Sequence, residues 1–313
     1  MSDLPLVWLP FDPDHLRADG GPLPDTLRYE VVDPREHVPD SVGEVRFYVT
    51  PYSVGSEVAE VLPRMGSLEV VQVLSAGVDN MRGRVPDGVT LCNGRGIHDT
   101  STAELTLTLI LASLRGVPQF VRQQDAGVWE RPWRPALADK RVLLVGYGAI
   151  GQAIEERLLA FETEVVPVAR TARQGAHGPV RSFEELPELL PHADVVVLIV
   201  PLTEQTRGLV DADFLARMRP GALLVNVARG GVVDTDALVA ALQAERVTAA
   251  LDVVEPEPLP AGHPLWSAPG VLIVPHVGGV SSAMWPRAHR LVAAQVRRYA
   301  AGEPLANVMA GEY

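Results

Sequence analysis

Three things are scarce in this 313-residue sequence, and each scarcity excludes something. Cysteine occurs once, so no intrachain disulfide can form, which fits a reducing compartment. Cys92 sits in the apolar run VTLCNG and reads as a buried structural thiol. Positive charge is also short: 27 Lys and Arg face 39 Asp and Glu, a net charge of −12. That balance argues against general nucleic-acid or anionic-membrane binding, because both need clustered cations. It does not exclude an anionic substrate, since one local arginine reverses the sign of a pocket. Long apolar runs are missing, and none approaches the roughly 20 residues of a membrane span. The opening MSDLPLVWLPFDPD lacks the basic start and apolar core of a signal peptide and reads as a first strand. A cytoplasmic protein is expected, without a membrane, nucleic-acid or metal partner.

What is present is core. Hydrophobic residues make up 47% of the chain, and the length favours two domains. Short apolar runs at Leu6–Leu9, Tyr29–Val32, Val45–Val49, Val70–Leu74 and Val89–Cys92 read as buried strands, with a helix over Val54–Met65. The nearly all-apolar Ser101–Leu114 reads as a helix between domains, capped by the polar residues from Asp99 to Thr102. An extended loop, GVWERPWRP, follows. From Arg141 the pattern is clearer. Strands are expected at Arg141–Val145, Glu164–Val168, Ala193–Val200, Ala222–Asn226, Ala249–Val253 and Val271–Val274. Helices are expected at Ile150–Phe161, Phe183–Leu190, Asp211–Met218 and Asp234–Glu245. This is a doubly wound α/β pattern. A last amphipathic helix, roughly 283–300, is placed to return to the first domain.

Gly146-Tyr147-Gly148-Ala149-Ile150-Gly151 matches G-x-G-x-x-G between a buried strand and a helix. That context makes it a dinucleotide fingerprint. The first glycine permits the turn, the second lets backbone approach a pyrophosphate, and the third lets helix pack on strand. A site for NAD usually has Asp or Glu at the end of the second strand. Here Arg170, Thr171 and Arg173 stand there instead, and a guanidinium suits the 2′-phosphate of NADP. NADP is therefore expected over NAD.

Three later strand ends carry polar residues where ligands of such sheets bind. They are NVARGG with Arg229, LDVVEPEP with Asp252, Glu255 and Glu257, and VPHVGG with His276. With SAGVDN (Ser75–Asn80), the Thr102–Glu104 helix start, GYGAIG and VPLTEQTRGLV (Val200–Val210), these occur in one order along nearly the whole chain. The sequence resembles the D-isomer-specific 2-hydroxyacid dehydrogenase family. The resemblance implies two Rossmann-like domains: a doubly wound parallel-sheet dinucleotide-binding domain (100–281) inserted into a smaller flavodoxin-like substrate domain (1–99 and 282–313). It also implies a homodimer and an active-site cleft between domains.

By that resemblance His276 is the general acid/base, and histidine suits both directions because it titrates near neutrality. Glu257 is its carboxylate partner, with Glu255 the competitor. Arg229 binds the substrate carboxylate and polarises the carbonyl. Ser75, Ala76 and Gly77 offer backbone N–H groups to the substrate, and Tyr52 and Ser53 face it. Thr102, Pro201, Thr206, Ala228, Asp252, His276 and Gly278 border the cofactor. Arg95 and His98 have no assigned role, although His98 immediately precedes the inter-domain helix. Trp129 and Trp133 are expected either to pack internally or to cross a dimer interface. The implied activity is a glyoxylate- or hydroxypyruvate-type reductase acting on a small 2-keto acid with NADP or NAD. The rivals are an NAD-dependent phosphoglycerate dehydrogenase and a non-catalytic dinucleotide sensor. A formate dehydrogenase is disfavoured, since Gln is typical there where Glu257 stands.

Overall fold

A computed structural model describes residues 4–52, 57–81 and 83–309. The chain divides into two compact units, Met1–His98 with Ser282–Tyr313, and Asp99–Ser281.

The first unit opens with β1 (Leu6–Leu9), α1 (Pro13–Gly20), β2 (Arg28–Val31), β3 (Val45–Val49), β4 (Val70–Gln72) and β5 (Thr90–Cys92). All pair in parallel in the order β2-β1-β3-β4-β5, the flavodoxin-like order. Successive side chains serve opposite faces, as the two-residue period of a strand demands. Val7, Leu9, Phe47 and Val49 join one core, and Leu6, Trp8 and Tyr48 the other; Val45 also joins the second, because the register of β3 shifts between it and Phe47. Both faces are buried, which is why these strands read as continuous apolar runs.

The second unit contains α2 (Asp99–Arg115), α3 (Val117–Asp125), β6 (Arg141–Val145), α4 (Ala149–Leu159), β7 (Glu164–Ala169), β8 (Arg173–Gln174) and β9 (Pro179–Ser182). It continues with α5 (Leu186–Leu189), β10 (Val195–Leu198), α6 (Ala212–Arg217), β11 (Leu223–Asn226), α7 (Thr235–Gln243), β12 (Thr248–Leu251) and β13 (Val271–Ile273). Its eight-stranded sheet runs β13-β12-β11-β10-β6-β7-β9-β8, with only the β8–β9 pair antiparallel. The order reverses at β6, as in doubly wound dinucleotide folds. The chain then returns to the first unit as α8 (Met284–Ala301). Met284, Ala288, Val292 and Val296 recur every four residues and enter the first unit's core. Gly20 of α1 packs so closely on α8 that a Cβ there would lie 2.5 Å from Ala293 Cβ.

The sequence expectation departs from the structure in several places. The helix expected over Val54–Met65 is instead two short 3-10 turns, Glu57–Ala59 and Leu62–Arg64; Val54 to Ser56 lie outside the described residues. Pro63 removes the N–H that an α-helix would need there. Helix α1 escaped notice because it buries only Leu16, although Asp12 caps it, accepting from the Asp14 N–H, and Pro13 opens it. Helix α3 buries no residue, and its apolar residues Val117, Phe120 and Val121, although at helical spacing, span only one turn. The β8–β9 hairpin was missed because its strands have two and four residues and are mostly exposed. Helix α2 begins at Asp99, so the polar run expected as its cap forms its first turn. No helix among the described residues is long and apolar enough to cross a membrane.

Candidate active site

In the second unit, strand pairing aligns Val168, Val145, Leu198, Asn226, Leu251 and Ile273 in one row across the sheet. The row marks the carboxyl edge, where ligands of open parallel sheets bind. Gly146, Asp252, Arg170, Pro201, Arg229 and His276 each follow it by one to three residues. One edge of one sheet thus gathers residues that are far apart in sequence.

At the end of β6 the chain turns sharply. Gly146 has φ +114, and a Cβ there would lie 2.3 Å from the Ile199 carbonyl oxygen. A Cβ at Gly151 would lie 2.5 Å from the Gly146 oxygen, so this glycine lets α4 approach the strand. Gly148 is different: no protein atom lies within 4 Å of where its Cβ would be. Protein packing does not demand a glycine there, whereas a pyrophosphate against the backbone would. Gly148 is also the N-cap of α4, whose first N–H groups lack intrahelical acceptors. The loop therefore fits a dinucleotide on geometric grounds.

Tyr147, between the glycines, is buried and donates through its hydroxyl to buried Glu155 of α4. Burial, then the Glu155 carboxylate, push its hydroxyl up to about 12. Arg173 Nη2 donates to the Tyr147 carbonyl at 2.7 Å, and the guanidinium carbon lies 5.8 Å from the ring centroid. Arg173 is thus tied to the glycine loop. Arg170 and Thr171 are exposed just beyond β7. Thr206 is buried, and its hydroxyl donates to the Pro201 carbonyl at 2.6 Å. Ala149 and Ile150 open α4.

Three neighbouring strand ends carry the reactive groups. After β13, His276 adopts φ +53, a left-handed conformation that costs a non-glycine residue roughly 1 kcal/mol. Asp252, just after β12, holds it there. The His276 N–H donates to the Asp252 carbonyl at 2.8 Å, and the Asp252 carboxylate accepts from Val277 N at 2.7 Å and Gly278 N at 3.1 Å. Burial pushes the Asp252 carboxyl above the usual carboxylate range, and those two N–H groups pull the other way. Thr102 of α2 closes the corner, its hydroxyl donating to the Gly278 carbonyl at 3.3 Å.

His276 Nδ1 lies 2.6 Å from Glu257 Oε1. A carboxylate only accepts, so Nδ1 carries a proton and Nε2 is left for other work. Glu255, the competing carboxylate, lies elsewhere, near Gly231: a Cβ on that glycine would sit 2.7 Å from Glu255 Oε2 and 3.1 Å from Arg207 Nη1. Arg229 follows β11. Buried Asn226 braces its loop, donating to the Arg229 carbonyl at 3.0 Å and accepting from Ala228 N at 3.1 Å. Arg229 Nη1 donates to the Ala228 carbonyl at 2.7 Å. Gly230 is required, because a Cβ would fall 1.9 Å from the Val254 oxygen. Asn226 and Glu155 were missed in the sequence. The signal available was a polar residue ending a buried strand in one case, and a lone acid on a buried helix face in the other.

In the first unit, half-buried Tyr52 lies with its ring 5.4 Å from that of His98. Ser75 Oγ donates to the Gly77 carbonyl at 2.6 Å, and buried His98 Nε2 bonds the Leu74 carbonyl at 2.8 Å. Ser53 lies outside the described residues. Cys92 is fully buried, and burial pushes its thiol up to about 11. Trp129 and Trp133 are 91% and 99% exposed, so internal packing is not their role.

Known proteins share this arrangement. The family model for the NAD binding domain of D-isomer specific 2-hydroxyacid dehydrogenases matches residues 107–278. A glyoxylate reductase from Thermofilum pendens is 34% identical over 258 residues, covering 78% of this chain and 76% of its own. A D-isomer specific 2-hydroxyacid dehydrogenase from Xanthobacter autotrophicus, solved with NADPH and MES, superposes with a TM-score of 0.83 at 31% identity, covering 99% of this chain and 98% of its own. An NADPH-dependent glyoxylate/hydroxypyruvate reductase from Sinorhizobium meliloti, solved with NADP and sulfate, gives 0.83 at 25% identity and 98% coverage of both chains. Sheet order, glycine loop and the polar strand ends thus come together with a match over most of the sequence: the chain belongs to the D-isomer specific 2-hydroxyacid dehydrogenases, and its second unit carries their NAD-binding domain.

Proposed function

We propose that this oxidoreductase reduces a small 2-keto acid of the glyoxylate or hydroxypyruvate class to the D-2-hydroxy acid, with NADPH preferred over NADH. The observation that carries the reading is the His276–Glu257 pair, held at the sheet's carboxyl edge by a strained backbone that Asp252 fixes. The relatives named above supply the substrate class, and Arg170 and Thr171, standing where an acid would favour NAD, supply the cofactor preference.

The second unit is the cofactor domain and the first the substrate domain. Gly146 to Gly151 and the start of α4 take the pyrophosphate, and Arg170 pairs with the 2′-phosphate. Bound there, the nicotinamide supplies or accepts the hydride. Arg229 offers a fixed charge to the substrate carboxylate and to the oxygen on which negative charge develops. The N–H groups of Ser75, Ala76 and Gly77, with Tyr52, are assigned to the same substrate. His276 donates from Nε2 to that oxygen during reduction and takes the hydroxyl proton in reverse. Glu257 keeps the proton on Nδ1, orients the ring and faces the positive charge that the protonated imidazole carries.

A spectrophotometric screen of small 2-keto acids with NADPH and NADH in parallel tests the reading. His276→Ala lowers kcat by roughly a thousandfold, with dinucleotide affinity retained. Wild-type protein that oxidises neither cofactor with any such acid would make it a dinucleotide sensor. The protein works as a homodimer: Val117, Val121 and Val128 join Trp129 and Trp133 as exposed apolar surface that a second copy covers. Replacing both tryptophans by alanine yields a monomer in sedimentation equilibrium. A cytoplasmic location is part of the same proposal, and the lone buried cysteine supports it.

A further inference from the structure

We infer that Asn93, Gly94 and His98, from the segment NGRGIH, act as positioning residues that turn three backbone N–H groups of the Ser75–Gly77 loop toward the substrate carboxylate. The inference rests on the assignment of that loop to the substrate.

A trans peptide is planar, so the carbonyl of one residue and the N–H of the next point in opposite directions. Whatever holds the carbonyl therefore aims the following N–H. His98 Nε2 holds the Leu74 carbonyl at 2.8 Å, which aims the Ser75 N–H. The Gly94 N–H holds the Ser75 carbonyl at 2.7 Å, which aims that of Ala76. Asn93 Nδ2 holds the Ala76 carbonyl at 3.0 Å, which aims that of Gly77. Among the described residues, the Ser75, Ala76 and Gly77 N–H groups donate to no protein acceptor. Three consecutive peptides are thus pinned on their carbonyl side by one segment and left open on their N–H side. Such a row of N–H groups is an anion-binding concavity.

The brace is itself rigid. Asn93 is buried, and its Oδ1 accepts from Arg95 N at 3.1 Å. Its N–H donates to the Asn307 carbonyl at 3.0 Å, and its own carbonyl accepts from Gln72 Nε2 at 3.0 Å. Gln72 and Gln295 of α8 are fully buried and bonded at 2.8 Å. Gly94 has no room for a side chain, since a Cβ would lie 2.4 Å from the Leu74 oxygen. A carbonyl accepts, so His98 Nε2 carries a proton whatever the state of Nδ1. His98 is too deeply buried and too firmly committed to the Leu74 carbonyl to serve as an acid or base, and positioning accounts for it.

The test has two arms. In the native protein with saturating dinucleotide, oxamate, a small planar carboxylate, shifts the amide resonances of Ser75, Ala76 and Gly77. If those amides do not move, the loop does not take the carboxylate, and the assignment beneath the inference fails with it. In the second arm, Asn93→Ala and His98→Ala each raise KM for the 2-keto acid and Kd for oxamate about tenfold, while dinucleotide Kd stays within twofold. His98→Gln keeps a donor toward Leu74 and recovers most of the loss. Should Asn93→Ala fail to fold, the two His98 variants carry this arm. Folded variants that bind oxamate as the native protein does, alongside native amides that shift, would overturn the positioning role and leave the loop's assignment standing.

Discussion

On the reading proposed above, two loops of this protein offer backbone N–H groups to an anion, and they arrive at that state by different routes. In the second unit, Gly146 to Gly151 does so through local geometry. A positive φ turns the chain out of β6, and the start of α4 has spare N–H groups because every helix does. In the first unit, Ser75 to Gly77 has no helix behind it. Its N–H groups have no protein acceptor among the described residues, and their direction is set by partners 17 to 24 residues further along the chain that hold the carbonyls. The first loop is a property of a short stretch of sequence, and the second is a property of the folded unit. The first should therefore fail at the glycines themselves, and the second at residues outside the loop.

The sharpest break is within the glycine loop. Gly146→Ala places a Cβ 2.3 Å from a backbone oxygen at a φ that alanine avoids. We expect a loss of roughly 3 kcal/mol in stability, read by urea denaturation. Gly148→Ala meets no atom within 4 Å, so it leaves the denaturation midpoint unchanged. It nonetheless weakens dinucleotide binding about tenfold, because the methyl group occupies the approach of the pyrophosphate. A Gly148→Ala variant with native affinity would show that the ligand does not come close to this backbone.

The same contrast explains what could be read from the sequence. The glycine loop, its flanking strand and helix, and the polar residues after β11, β12 and β13 are local patterns, and all were visible. The choice between Glu255 and Glu257 rested on resemblance until the fold placed Glu257 Oε1 on the histidine. Asn93 and His98 were unreadable, because their meaning depends on β4 and β5 lying side by side. Asn226 was hidden for a similar reason: its bonds brace a loop whose shape the chain reveals only when folded. Helix α1 and the β8–β9 hairpin bury little and left no periodic trace, whereas α3 has its apolar residues Val117, Phe120 and Val121 at helical spacing, a signal only one turn long.

The arginines beyond β7 refine the comparison further, since one contact depends on the cofactor and the other does not. On the proposed reading, Arg170→Ala removes a charge-assisted pairing with the 2′-phosphate, a group that NADPH has and NADH lacks. The ratio of KM for NADH to KM for NADPH should fall roughly tenfold to a hundredfold, with KM for NADH unchanged. An unchanged ratio would show that Arg170 does not read the 2′-phosphate.

Arg173→Ala has the smallest expected effect and the most specific pattern. Its guanidinium donates to the Tyr147 carbonyl inside the glycine loop, and the stretch that follows it packs on the same ring, since a Cβ at Gly175 would lie 3.0 Å from Tyr147 Cε1. These contacts are the same whichever dinucleotide is bound. One hydrogen bond from an exposed charged donor contributes about 1 kcal/mol, so affinity for NADH and NADPH should fall together, each about fivefold. Parallel titrations of both cofactors separate the cases. A loss confined to NADPH would make Arg173 a second phosphate ligand, and an equal loss would make it the tie by which even the local loop depends on a distant residue.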